Sequence, residues 1–251
     1  MKSTQKDWER VFQYDHNSSS QVSLFANMDS PVRNRLTNIF QEFFKKEGLI
    51  LDGGCGEGEW CYSLEKRGYR AIGIDIVPDA IQHAHRIGRQ NGAESAFLIG
   101  DVTRLPFRKN VLGGYISLGV VEHFRLREEV TRALADAQRS LAPGGRAFFA
   151  LPGLLVCLRN SLSLLVTGDK VGMYHKYISK SSMERLLRSA DLRVLISRHE
   201  KGWLGLGNII DGIIKKFGSN RLREQLIIFW SNRKPVLFLS GNYFWTENRL
   251  D

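Results

Sequence analysis

Three carboxylates recur at matching places in the first half of this chain, each closing a short apolar run. Asp52 follows Leu49-Ile50-Leu51, Asp75 follows Ala71-Ile72-Gly73-Ile74, and Asp101 follows Ala96-Phe97-Leu98-Ile99-Gly100. After the first comes Gly53-Gly54-Cys55-Gly56-Glu57-Gly58, where glycines let the backbone turn tightly and approach a ligand with no side chain in the way. An acid aimed at such a turn repels a pyrophosphate and suits a cationic ligand. Asp75 lies 21 residues after Gly54. That is close to the interval of about 20 at which an acid meets ribose hydroxyls in dinucleotide folds, because a carboxylate accepts both vicinal hydroxyl protons. Two histidines are candidate general bases: His123, at the carboxyl end of the run from Tyr115, and His175, between Tyr174 and Tyr177.

The elements that hold these residues alternate. Leu49 to Leu51 reads as a buried strand, Glu59 to Lys66 as a helix that Gly68 ends, and Arg70 to Asp75 as a second strand. Pro78-Asp79 opens a helix through Ile81, Ala84 and Ile87, and Ala96 to Asp101 is the third strand with its acid. Tyr115 to Phe124 supplies the fourth strand and its exit, and Leu126, Val130, Ala133, Ala137 and Leu141 line the next helix. Leu141 to Gly145 reads as a tight turn before a fifth strand, Arg146 to Leu151. Later, Ser181-Ser182-Met183-Glu184 reads as a capping box, Ala190 to Val194 as the turn into a sixth strand, and Val236 to Leu239 as a final one. Upstream, Trp8, Val11 and Phe12 fall at helical spacing before a polar loop, Tyr14 to Ser20. Ser30-Pro31 then starts a helix with Leu36, Ile39, Phe40, Phe43 and Phe44 on one face. Such alternation predicts an α/β fold, a doubly wound parallel sheet with helices on both faces.

Asp52 to Gly58 resembles the D-x-G-x-G-x-G signature of S-adenosylmethionine-dependent methyltransferases of the Rossmann-like class. That cofactor has no phosphate and carries a sulfonium and an ammonium, in keeping with the acid before the turn. The resemblance covers roughly residues 30–200 and is closest to the branch that methylates small molecules, including quinone precursors. It implies a seven-stranded, mostly parallel sheet with an antiparallel last strand and a small helical cap. It also implies cofactor contacts from Asp52, Gly53, Gly54, Gly56, Gly58, Asp75, Ile76, Asp101, Val102 and Leu118, with Asp101 receiving the adenine amino group. Against that role stands the ordinary use of an Asp to cap a turn after a strand. Glu122-His123 resembles the pair that often closes the family's fourth motif. Two departures stand out: Gly113-Gly114 where the family has an Asp leading into strand four, and Asp191-Leu192 where it has Gly-Phe before strand six. The first is expected to alter the start of the strand more than cofactor binding.

Residues 1–48 are expected to form an N-terminal helical cap and 49–251 the catalytic domain, with 153–178 and 200–234 as segments covering the substrate. In the family such N-terminal helices flank the cofactor pocket, which draws attention to Arg33 and Arg35, although exposed arginines on an amphipathic helix are usually only solvated. Gly202 to Gly207 lacks an acid partner in a following strand and reads as a connection rather than a nucleotide loop. No metal is indicated: there is no H-E-x-x-H or C-x-x-C, and His83 and His85, two apart, project to different helix faces. Three unpaired cysteines, the lack of a signal-peptide core, and an apolar run at 147–166 broken by Pro152 and Arg159 point to a cytoplasmic protein.

The net charge of +10 is uneven, since residues 153–251 hold 16 Lys and Arg against 8 Asp and Glu. A basic C-terminal portion suits an anionic surface, a peripheral membrane site or nucleic acid. The reading that results is methyl transfer to a small, hydrophobic or aromatic acceptor. Transfer to RNA, with Trp203, Phe229 and Trp230 as stacking groups, is the rival enzyme. A non-catalytic relative that binds partners and a Rossmann dehydrogenase are further alternatives.

Overall fold

The computed structural model describes residues 5–17, 31–154, 157, 176–200 and 241–248. Two helices, α1 (Gln5–Asn17) and α2 (Pro31–Phe43), precede the alternating core. That core runs β1 (Leu49–Gly53), α3 (Glu59–Glu65), β2 (Arg70–Asp75), α4 (Pro78–Gln90), β3 (Ala96–Ile99) and β4 (Leu112–Leu118). It continues through α5 (Arg127–Ser140), β5 (Leu141–Pro152), α6 (Lys180–Ser189), β6 (Leu192–Glu200) and β7 (Gly241–Asn248). The seven strands form one sheet in the order β3-β2-β1-β4-β5-β7-β6. All neighbours pair parallel except β7, which runs antiparallel between β5 and β6. From β1 the chain winds outward to β3, then returns to lay β4 on the other side. That reversal opens a crevice above the carboxyl ends of β1 and β4, where open α/β sheets bind ligands.

Alternation along the central strands assigns each face its helices. Ile50, Ile116, Phe148, Tyr243 and Trp245 pack with Phe40, Phe44 and Leu64 from the α2 and α3 side. Their neighbours Leu51, Tyr115, Phe149 and Phe244 point the other way, against Ala133, Leu134 and Ala137 of α5 and Met183 and Leu187 of α6. Fully buried Phe40 meets Phe148, Trp60 and Trp245 with centroids 5.2, 5.6 and 5.9 Å away, an edge-on arrangement that suits aromatic quadrupoles. No helix among the described residues is long and apolar enough to cross a membrane.

Four expectations change. Helix α1 runs on to Asn17, through residues that read as a polar loop. Strand β4 begins at Leu112 and contains the two glycines. A Cβ on Gly114 would lie 2.8 Å from the Phe44 ring and one on Gly113 3.1 Å from the Gly48 Cα, so their smallness lets the chain after α2 approach the sheet. The turn at 142–145 is not a separate loop but sits within β5: Leu141 pairs with Leu112 and Arg146 with Gly114, four residues bulging opposite one. The last strand is Gly241–Asn248 rather than Val236–Leu239, which lie outside the described residues. Buried Asn248 identifies why: its Nδ2 donates to the Leu141 carbonyl (2.7 Å) and its Oδ1 accepts from Gln138 (2.9 Å). Polar side chains satisfied inside the sheet disguise a central strand as a surface one.

Asp191, which stands in the place of the family glycine, has φ +56°, a left-handed conformation that L side chains adopt at a cost. Asp191→Gly is therefore expected to stabilise the fold by about 0.5–1 kcal/mol once the greater freedom of unfolded glycine is set against the relieved strain. A higher urea midpoint at unchanged slope is the sign of it; a lower midpoint would show that Asp191 is not strained.

Candidate active site

The crevice is built from the turn after β1. Backbone N–H groups of Gly54 and Cys55 both donate to the Ile74 carbonyl at 2.8 and 3.0 Å, tying the turn to β2. Gly56 N–H donates to Asp75 Oδ2 at 2.8 Å, and Val77 N–H donates to the other carboxylate oxygen, Oδ1, at 2.9 Å. One carboxylate thus pins the turn and the start of α4, and it keeps acceptor capacity for a ligand. Burial raises the Asp75 pKa, opposed by those donated N–H groups.

The glycines divide by role. Gly54 has φ +78°, and a Cβ there would meet Val120 Cγ2 at 2.5 Å. Gly56 has φ +52° and nothing within 4 Å of where a Cβ would be, so its bare backbone borders open space. Gly53 and Gly58 instead make room for Tyr115 and Phe97, and neither borders the cavity.

That space is a cavity of about 490 Å³. Gly54, Gly56, Asp75 and Ile76 form one side of it, and Asp101, Val102 and Thr103 extend it along β3. Gly119, Val120, His123 and Phe124 close the β4 end, Gln5, Trp8 and Phe12 of α1 lie along another side, and Glu129 and Arg132 of α5 bring two charged side chains to it. Asp101 both caps a turn, its Oδ1 accepting from Thr103 N–H at 2.8 Å, and faces the cavity, so the two uses of this acid are not exclusive. Leu118 packs instead with the α2 cluster.

Asp52 does not border the cavity either. It is 2% exposed, and its Oδ2 has no hydrogen-bond partner among the described residues. Burial, then the charges of Asp75 and Glu59, push its pKa up to about 8. A buried carboxyl this poorly compensated wants a cation.

His123 is buried with its ring edge-on to Trp8, centroids 4.8 Å apart. His175 and Tyr174 lie outside the described residues, as do Gly202 to Gly207, Trp203, Phe229 and Trp230; Arg33 and Arg35 are placed by backbone alone. His83 pairs with Glu57 of the turn at 2.6 Å, and His85 Nε2 lies 3.2 Å from the Phe97 carbonyl, so each has a structural partner. Among the described residues no group of three or more His, Cys, Asp or Glu is arranged to hold a metal. The sequence reading missed Trp8 and Phe12 as cavity lining; their i, i+4 spacing on an otherwise polar helix was the available signal.

Two hydrogen-bond acceptors, Asp75 and Asp101, set along a wall of Ile76, Val77, Val102 and Phe12, match a nucleoside with a vicinal diol and an exocyclic amino group. The family described as "Methyltransferase domain" matches residues 51–149. Over 135 residues the chain is 31% identical to a human protein described as "Probable tRNA methyltransferase 9B", covering 53% of this chain and 28% of that one. Over 130 residues it is 29% identical to norajmaline N-methyltransferase of Rauvolfia serpentina, covering 51% and 43%. The chain therefore spans less than half the length of either relative. A solved structure of a SAM-dependent methyltransferase from Methanosarcina mazei shares the fold at TM-score 0.62 and 17% identity, covering 85% of this chain and 98% of that one.

Proposed function

We propose that the chain, whose residues 51–149 match the methyltransferase domain family, is a class I, Rossmann-like methyltransferase that uses S-adenosylmethionine and transfers its methyl group to a small acceptor lying against Gly119 and His123. The observation that carries this is Asp75, whose carboxylate locks the Gly56 backbone and borders the open space beside it. Bound there, the cofactor supplies a methyl on sulfur, already activated for in-line displacement.

The residues of this chain have the remaining work. Asp75 would hold the ribose diol and Asp101 with Val102 the adenine edge. Gly54 and Gly56 would let the methionine portion rest on backbone, and Asp52 would supply its countercharge. Ile76 and Val102 would flank the base. Trp8 buttresses His123, which orients the acceptor or takes its proton. Holding nucleophile and methyl in line can contribute about 7–11 kcal/mol to the rate. Segments 153–178 and 200–234 would cover the acceptor; Lys176 N–H already donates to the Glu122 carbonyl at 2.8 Å, which brings the end of the first segment to the site. Their basic character favours an acceptor met at an anionic surface.

Transfer to RNA is the second reading, supported by the tRNA methyltransferase relative and by the basic C-terminal portion. Calorimetry is expected to detect S-adenosylhomocysteine binding, and radiolabelled methyl is expected to pass to small acceptors in preference to bulk tRNA. Salt-sensitive labelling of tRNA alone would select the second reading. No heat from cofactor or product would end both.

A further inference from the structure

One buried charge near the cavity has no use in the scheme above. Glu122, in the 3₁₀ turn Val121–His123 after β4, is 2% exposed, yet its Oε2 has no hydrogen-bond partner among the described residues. Its neighbour His123 does not satisfy it, the closest approach being 3.9 Å from Nε2 to Oε1 and so beyond hydrogen-bond reach. Cys157, which feels the Glu122 charge, is a buried thiol whose pKa is raised, first by burial and then by that charge, so it stays neutral, while Glu129 and Arg132 of α5 are the charged side chains that line the cavity itself.

What lies in front of this carboxylate is as informative. Gly119 borders the cavity, and a Cβ built on it would meet a single atom within 4 Å: Glu122 Oε1, at 3.6 Å. Glu122 does not itself line the cavity, but with glycine at 119 no Cβ fills the space between that edge and Oε1. A buried carboxylate supported only by the N–H of its own backbone resists ionising, and a cation arriving through this gap would offset that cost.

We propose that Glu122 is a cation subsite beside the cavity and that the methyl acceptor is a protonatable amine, which Glu122 holds and deprotonates. This rests on the methyltransferase reading and narrows it to N-methylation. An ammonium has no lone pair to donate, so its proton first passes to the Glu122 carboxylate, whose Oε1 is the oxygen beside the Gly119 gap. The freed nitrogen pair then forms the N–C bond as the C–S bond breaks with its electrons staying on sulfur. Positive charge passes from sulfonium to the methylated nitrogen, and the total is conserved. Burial sets the Glu122 pKa at about 7, where a base that takes and returns a proton near neutral pH works best.

The test uses three probes that share a phenyl ring and differ in charge, titrated by calorimetry into protein saturated with S-adenosylhomocysteine: benzylamine, benzyl alcohol and benzoate. Benzylamine is expected to bind at least about tenfold more tightly than either of the others, and Glu122→Gln to reduce that preference to about twofold or less. Methyl transfer to benzylamine is expected to rise with pH through the Glu122 transition in the wild type and to lose that inflection in Glu122→Gln. A thermal shift of the variant with S-adenosylhomocysteine confirms that it is folded and still binds the product. Equal or tighter binding of benzyl alcohol or benzoate, no binding of benzylamine, or a preference that survives in Glu122→Gln would overturn the proposal. If wild-type protein fails to bind S-adenosylhomocysteine, the methyltransferase reading itself is what fails.

Discussion

Asp75→Asn is expected to weaken S-adenosylhomocysteine binding about 10–100-fold, the equivalent of losing about 1.5–3 kcal/mol of hydrogen bonding to a charged group. Two losses combine. An amide oxygen keeps one backbone partner, but the amide nitrogen must then face either the Gly56 or the Val77 N–H, donor against donor, where the carboxylate accepted both. The same exchange removes an acceptor from the ribose diol. Asp101→Ala is expected to cost less, about 1 kcal/mol or roughly fivefold, because Asp101 is exposed and competes with water for its ligand. Titration calorimetry on both variants, with urea midpoints to confirm folding, measures the difference. Should Asp75→Asn fold normally and bind within threefold of wild type, the carboxylate is only a turn clamp, and the assignment of the ribose to it is wrong.

What made the centre of this site readable in advance is that few sequences can do what Asp52 to Gly58 does. Positive φ at Gly54, Gly56 and Gly58, with two of these glycines packed where a Cβ would clash, leaves little freedom of residue choice. Acids at successive strand ends are equally plain, since strands are local and the sheet order brings their ends together. The less legible parts depend on contacts made far along the chain. Trp8 looks like any apolar residue on a surface helix until it stands edge-on to His123, 115 positions later. Strand β7 hid because Asn242, Thr246 and Asn248 are buried, and alternation scores such residues as solvent-facing. Glu122 reads as half of a family-like pair. That its carboxylate lacks a partner is a property of its surroundings, which spacing does not encode.

Asp52→Asn is expected to make the protein more stable at alkaline pH while impairing cofactor binding. The Asp52 carboxyl sits near 8 in the fold against 3.8 for an Asp free in water. The folded state therefore binds more protons than the unfolded chain between those limits, so its stability falls as pH rises through them. Fully present below about pH 4, this contribution is gone above about pH 8; four pKa units correspond to about 5 kcal/mol as an order of magnitude. Asparagine has the same shape and no charge to bury. The urea midpoint of the wild type is thus expected to fall between pH 5 and 8.5, and that of Asp52→Asn to fall less, keeping the slope that Glu122 contributes. At pH 5 the two should nearly coincide. Binding should show the opposite ranking. A cationic cofactor offsets the ionised carboxylate, so wild-type binding at pH 7 is expected to release a proton, visible as a dependence of the binding heat on the ionisation enthalpy of the buffer. In Asp52→Asn that release should shrink and affinity should drop about tenfold, since the carboxylate acts as a countercharge from behind the turn, in a medium of low dielectric, rather than by contact. A wild-type midpoint insensitive to pH, or a variant less stable than wild type at pH 8.5, would mean that Asp52 has a partner within the protein and is not held ready for the cofactor's charge. The stability gained and the affinity lost would be two measurements of one thing: a carboxylate the fold keeps buried at its own expense because the ligand brings the compensating charge.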